Sequence, residues 1–74
     1  MEQLMTILND LRPDVDFENE YNLVGSGILD SFDIITLVGE LGETFGVEIS
    51  ALDLVPENFN SAEEIWALIQ RLQE

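Results

Sequence analysis

The stretch GILDSFDIIT, residues 27–36, contains the start of an amphipathic helix that follows an irregular segment. Asp30 and Ser31 are both residue types that cap helix N-termini, because their side-chain oxygens accept free backbone N–H groups. Apolar residues then recur at spacings of four, three and four, at Ile34, Val38, Leu41 and Phe45. Gly46 follows as a C-terminal stop. We therefore predict a helix over residues 31–45.

Further helices are predicted on both sides of this one. Apolar residues at helical spacing predict a first helix over residues 2–11. We place its end at residue 11 because Pro13 disfavours helical geometry at Arg12. A last helix follows Asn60 and Ser61, which precede two glutamates at capping-box spacing and an apolar stripe. One short helical turn is expected over residues 51–55, ending before Pro56. The predicted fold is all-α: one domain, residues 1–74, built as a small bundle of three main helices plus one short helix.

Residues 13–30 have no sustained period and are predicted to form a long loop. Its apolar members are expected to hold it across the core: Val15, Phe17, Leu23, Val24, Ile28 and Leu29. The helices supply the other core candidates, which could also line a space for cargo: Ile34, Ile35, Leu37, Val38, Leu41, Phe59, Ile65, Trp66, Leu68 and Ile69.

Two glycines, Gly39 and Gly42, lie inside the predicted second helix. Each costs roughly 1 kcal/mol relative to alanine at a helix interior. Close helix packing and a shallow notch that faces a partner are two explanations for them.

The charge of the chain is strongly one-sided. Sixteen acidic residues stand against Arg12 and Arg71, which gives a formal net charge of −14 over 74 residues. Nucleic acids and anionic membrane surfaces are recognised through lysine and arginine, so both are excluded as expected partners. Basic protein surfaces suit this chain, although the charge can also serve solubility alone. The 46% hydrophobic content is high enough for a folded domain.

Several classes of site are excluded by composition. The chain has no cysteine and no histidine, so it has no disulfide, no thiolate metal site and no Ser-His-Asp triad. The acidic run of residues 14–20 fails the calcium-loop template, because Asn19 stands at the sixth position and Gly25 at the twelfth. No metal site is predicted. With no membrane-length apolar run and no basic N-terminal region, we expect a cytoplasmic monomer without membrane insertion.

The residues around Ser31 carry a resemblance to a known family. Gly27, two apolar residues, Asp30-Ser31 and a further hydrophobe resemble the attachment site of acyl carrier proteins, the phosphopantetheine-binding carrier domains. Phe32 stands where that family usually has leucine. The length, the acidic balance, the long first loop and the later helices extend the resemblance over nearly the whole chain. It implies that Ser31 bears a covalent 4′-phosphopantetheine taken from coenzyme A, with Asp30 in support.

The resemblance also implies a role and a set of partners. A phosphopantetheinyl transferase would load Ser31 with coenzyme A and Mg²⁺, making a phosphoprotein whose arm holds acyl groups as thioesters. The chain would then be a discrete acyl carrier protein for fatty-acid biosynthesis or related lipid metabolism, and not itself an enzyme. Its partners would be acyl-transferring and acyl-modifying enzymes with basic docking surfaces.

The second helix resembles the partner-recognition surface of the family. The candidate partner-binding residues are Phe32, Asp33, Glu40, Glu43 and Glu48. Their carboxylates can pair with basic residues of a partner enzyme, or they can form an ordinary solvated face. Phe32 can anchor a partner or fold back onto the core.

Other functions remain compatible with the sequence. D-alanyl and peptidyl carriers resemble the same scaffold, and the Asp-Ser-Phe sequence with few carboxylates on the recognition face allows a dedicated pathway. A different class is an unmodified acidic interaction module that binds a basic partner through its helices. From the residues alone, Ser31 is only a helix-capping candidate.

The net charge leads to a prediction about stability. Self-repulsion among the carboxylates destabilises the compact state, and dissolved ions screen it. We expect added NaCl or Mg²⁺ to raise the melting temperature, measured by circular dichroism at constant pH. A melting temperature that stays constant across ionic strength would contradict this expectation.

Overall fold

The computed structural model describes residues 1–74 and contains four α-helices and one 3₁₀ turn. In chain order these are α1 (Glu2–Leu11), α2 (Ser31–Phe45), the 3₁₀ turn (Ala51–Asp53), α3 (Pro56–Phe59) and α4 (Ala62–Gln73). Helix α1 packs against α2 and α4, and α3 packs against α4. The predicted all-α bundle of three main helices and one short helix is confirmed, and so are the bounds of α1 and α2.

One apolar cluster forms the core, and every long helix contributes to it. Its twelve buried members are Leu4, Leu8, Phe17, Leu23, Leu29, Leu37, Leu41, Phe59, Ala62, Ile65, Leu68 and Ile69. Burying one leucine side chain contributes roughly 1.5–3 kcal/mol to folding. Ile35, a core candidate from the sequence, is instead 68% exposed. It stands two positions before Leu37, which places it on the opposite side of α2.

The long loop between α1 and α2 is held by the core, as predicted. Phe17, Leu23 and Leu29 are buried, while the other three apolar loop residues pack at the edge of the cluster. Asn60, just after α3, fixes the middle of the loop by hydrogen bonds. Its carbonyl accepts from the Leu23 N–H at 2.9 Å, and its side-chain Oδ1 accepts from the next two N–H groups at 3.0 and 3.2 Å. The loop is therefore tied to the start of α4.

The segment between α2 and α4 differs from its prediction. A helical turn does begin at Ala51, but it is a 3₁₀ turn that ends at Asp53. Pro56, expected to lie after a helix, is the first residue of α3. The first N–H of a helix has no partner within the helix, and proline already has a helical φ, so proline is favoured at this position.

The two glycines inside α2 have different surroundings. A Cβ placed on Gly42 would lie 3.2 Å from the carbonyl oxygen of Val47, so close packing accounts for this glycine. A Cβ on Gly39 would meet no atom within 4 Å. Close packing therefore does not explain Gly39, which is exposed on the surface of α2.

This difference predicts the stability of two alanine variants. Gly39→Ala should raise the free energy of unfolding by roughly 0.5–1 kcal/mol, because alanine loses less backbone entropy in a helix. Gly42→Ala is the matched control and should gain less or lose stability, because the carbonyl of Val47 must move. Urea unfolding of the two variants checks the prediction. Equal gains at both positions, or none at Gly39, would contradict it.

Candidate functional site

The chain reaches Ser31 through a short segment with a defined backbone. Gly27 has a φ of +82°, a conformation that favours glycine because other residues have a Cβ. Its N–H donates to the Val24 carbonyl at 3.1 Å, and the Leu29 N–H donates to the Leu23 carbonyl at 2.9 Å. Since Leu29 is buried, the backbone is anchored two residues before Ser31.

Asp30, and not Ser31, caps α2. The Asp30 carboxylate accepts from the backbone N–H of Asp33 at 2.9 Å, and the Asp33 carboxylate accepts from the N–H of Asp30 at 3.4 Å. These reciprocal bonds form a capping box. The sequence left Asp30 and Ser31 as equal candidates for the cap, and this geometry decides between them. The Ser31 hydroxyl takes no part in the cap.

Ser31 is the first residue of α2 and is exposed to solvent. The backbone N–H groups of Ser31 and Phe32 have no acceptor within the chain, as is usual in a first helical turn. They lie at the positive end of the helix dipole, which favours a negatively charged group such as a phosphodiester. An exposed hydroxyl beside such groups fits a covalently attached phosphate arm.

Arg12 connects the end of α1 to both sides of Ser31. Its Nη1 donates to the Ile28 carbonyl at 2.8 Å and to Asp33 Oδ2 at 3.2 Å. Its Nε contacts Asp14 Oδ1 at 3.4 Å. The hydrogen bond between Arg12 and Asp14 is the largest cause of a raised pKa for Arg12 and a lowered pKa for Asp14. Sequence reasoning did not predict this network. The one indication of it in the sequence was that only two arginines stand against sixteen acidic residues.

The five candidate partner-binding residues are not equivalent. The carboxylates of Glu40, Glu43 and Glu48 belong to exposed residues. The side chain of Asp33 is 15% exposed and is engaged by Arg12 and by the capping box. Phe32 is 77% exposed, so it does not fold back onto the core.

Ile35 adds an apolar contact surface that the sequence analysis assigned to the core. It stands four residues after Ser31 and three after Phe32, so its side chain is a neighbour of both on the surface of α2. A helical wheel with Leu37 and Leu41 on its buried face would have placed Ile35 outside the core. The surroundings of Ser31 are therefore more apolar than its acidic chain suggests.

No helix of the structure has the length and apolar character needed to cross a membrane.

Among known protein families, the model of the phosphopantetheine attachment site matches residues 2–69. The matched range extends from the start of α1 into α4 and includes the loop, the Asp30 cap and all of α2. No curated protein matches the chain.

The cap predicts the effect of two substitutions at one position. Asp30→Ala should lower the free energy of unfolding by about 1 kcal/mol, because the Asp33 N–H loses its acceptor. Asp30→Asn keeps a side-chain oxygen at the cap and should retain most of the stability. Chemical denaturation of both variants measures the difference. If the alanine variant is as stable as the asparagine variant, the capping interpretation is wrong.

Proposed function

The chain belongs to the phosphopantetheine attachment-site family of carrier domains, and from this premise we propose that Ser31 is its attachment residue. The family cofactor is a covalently bound 4′-phosphopantetheine, and its domains are non-catalytic carriers. The observation that supports Ser31 most strongly is its position. It is an exposed serine at the first position of α2, within the matched range, and its hydroxyl is not used by the cap. Residues 1–74 then form a single carrier domain.

The proposed attachment is a phosphoryl transfer to Ser31. The Ser31 Oγ attacks the phosphorus next to the pantetheine of coenzyme A, forming a P–O bond. The bond from that phosphorus to the pyrophosphate oxygen breaks, and adenosine 3′,5′-bisphosphate leaves. We assign the hydroxyl proton to a base of the transferase, because the carboxylates on either side of Ser31, Asp30 and Asp33, are engaged in the capping box. This chain supplies the acceptor oxygen and its orientation.

The attached arm gives the chain its role as a shuttle. Its terminal thiol holds the cargo as a thioester, and the tether raises the effective concentration of the cargo at partner active sites. We propose acyl intermediates of fatty-acid or related acyl-chain biosynthesis as the cargo. The interior is filled by twelve packed apolar residues, so an acyl chain that entered between the helices would have to displace some of them.

A D-alanyl or peptidyl carrier is the second candidate, and two features of α2 favour it. Asp33 is engaged within the chain, so Glu40 and Glu43 are the carboxylates of α2 beyond the cap that are open to a partner. Phe32 and Ile35 present apolar surface beside Ser31. A partner matched to this face would combine an apolar contact with a few basic residues, whereas a face recognised mainly by charge would carry more carboxylates.

We propose that Phe32, Glu40, Glu43 and Glu48 contact partner enzymes. Their exposure leaves them available, and the net charge of −14 favours basic docking surfaces. For Asp33 we propose a different role, because its carboxylate already bonds Arg12 and the backbone of Asp30. That role is to hold the first turn of α2.

The deciding experiment loads the chain with coenzyme A, Mg²⁺ and a broad-specificity phosphopantetheinyl transferase. We expect the intact mass to increase by one phosphopantetheinyl group in the wild type and not in Ser31→Ala. Ser26→Ala is the matched control, because Ser26 is another exposed serine of the same region, and it should load like the wild type. Loading of Ser31→Ala would contradict Ser31 as the attachment residue. No loading of the wild type would contradict the carrier role and favour an unmodified interaction module.

The cargo is then tested on the loaded protein. Enzymes that transfer fatty acyl, D-alanyl or aminoacyl groups are offered separately, and thioester formation is followed by mass. Preferential fatty acylation supports the first candidate, and preferential loading with D-alanine or another amino acid supports the second.

A further inference from the structure

The two cations of the chain have very different environments. Arg71, near the end of α4, donates to the Asn58 side chain at 3.1 Å in an exposed contact. The side chain of Arg12 is 33% exposed and bonds residue 14 at the start of the loop, residue 28 near the end of the loop, and residue 33 in α2. These bonds connect positions up to 21 residues apart in the chain. Only Arg12 is part of a network around Ser31.

The bonds of Arg12 flank Ser31 in sequence without touching it. One reaches the carbonyl of Ile28, three residues before Ser31, at 2.8 Å. Another reaches the carboxylate of Asp33, two residues after Ser31, and that carboxylate also accepts from the N–H of Asp30. The guanidinium therefore joins the incoming backbone to the first turn of α2. Nη1 makes both of these bonds while Nε donates to Asp14, and a lysine ammonium lacks this planar arrangement of donors.

We propose that Arg12 is a positioning residue for the loading of Ser31, an inference that rests on the proposed function. Arg12 holds residues 28–33 so that the Ser31 hydroxyl is presented to the transferase in one orientation. Without it, the Leu29 N–H bond and the burial of Leu29 still anchor the incoming chain, but its carbonyl at residue 28 loses its partner. Ser31 would still be exposed and would still be reached, but it would adopt the reactive orientation less often.

A positioning role predicts a specific kinetic pattern. Transferase docking is largely retained when Arg12 is replaced, so the KM for the carrier should stay within about twofold, while kcat falls about tenfold because the hydroxyl is misplaced. A loss confined to docking would instead raise KM.

The test compares Arg12→Gln with Arg71→Gln in steady-state loading by the transferase. Both replacements remove one positive charge and keep a polar side chain, so they control for the change in net charge. We expect the kcat loss only in Arg12→Gln, with partial recovery in Arg12→Lys, which restores the charge without the fork. Equal kcat values in the two glutamine variants, or a rise in KM alone, would overturn the proposal.

Two further variants separate positioning from general destabilisation. Ile69→Val removes one methyl group from the buried side of α4 and should lower the melting temperature. At a temperature where all variants are folded, it should load like the wild type. A kcat loss in Ile69→Val equal to that in Arg12→Gln would assign the effect to stability and overturn the positioning role.

Asp33→Asn should lower kcat, and adding it to Arg12→Gln should cause little further loss, because both act through one network. Additive losses would overturn the network.

The outcome also distinguishes the two proposals. A wild type that does not load on Ser31 would overturn the proposed function and this inference together. A wild type that loads on Ser31, with Arg12→Gln loading at the same kcat, would overturn only the role of Arg12.

Discussion

The structure depends on the burial of three loop side chains in the same cluster as the helices. Phe17, Leu23 and Leu29 lie between α1 and α2 in sequence, and they fill space that the helices alone leave open. A chain of 74 residues without cysteine has little other means of gaining stability, since small domains bury a limited fraction of their surface. The loop is therefore part of the core. Because Leu29 precedes Ser31 by two residues, the packing that stabilises the fold also fixes the entry to α2.

The acidic residues are used as helix caps more than as ion pairs. Asp30 and Asp33 close the start of α2, and Asp53 bonds both the N–H and the hydroxyl of Ser50 at the 3₁₀ turn. Carboxylates at these positions satisfy free N–H groups and complement the helix dipole. A chain with two arginines cannot pair its sixteen acidic residues. Caps give some of them a structural role, and the others contribute a surface charge that favours basic partners.

The sequence predicted most of the features that depend on local spacing, and it missed the hydrogen bonds between distant residues. The periodicity of apolar residues predicted α1 and α2 with approximate bounds that agree with the structure, and the stop at Gly46 follows from its left-handed backbone. Pro56 was misjudged because proline is common both shortly after a helix and at the first position of one, and here it begins α3. The Arg12 network joins Arg12 to Ile28, 16 positions away, and to Asp33, 21 positions away. No local pattern encodes such bonds. The loop burial was predicted from composition alone, without its hydrogen bonds to Asn60.

In the proposed loading reaction, this chain orients the serine hydroxyl and the transferase activates it. The chain places one hydroxyl at an exposed helix start, beside a cap, an arginine network and an apolar face, and the carboxylates on either side of it are engaged in the cap. In the proposed loading reaction, the base that activates Ser31 comes from the transferase. Selectivity must come from surfaces that the transferase and later partners contact. Since Phe32 and Ile35 lie next to Ser31 while Glu40 and Glu43 lie further along α2, a carrier loaded at Ser31 would offer apolar contacts nearest the arm and negative charge further away. This order suits partners that are attracted by charge and then selected by shape close to Ser31.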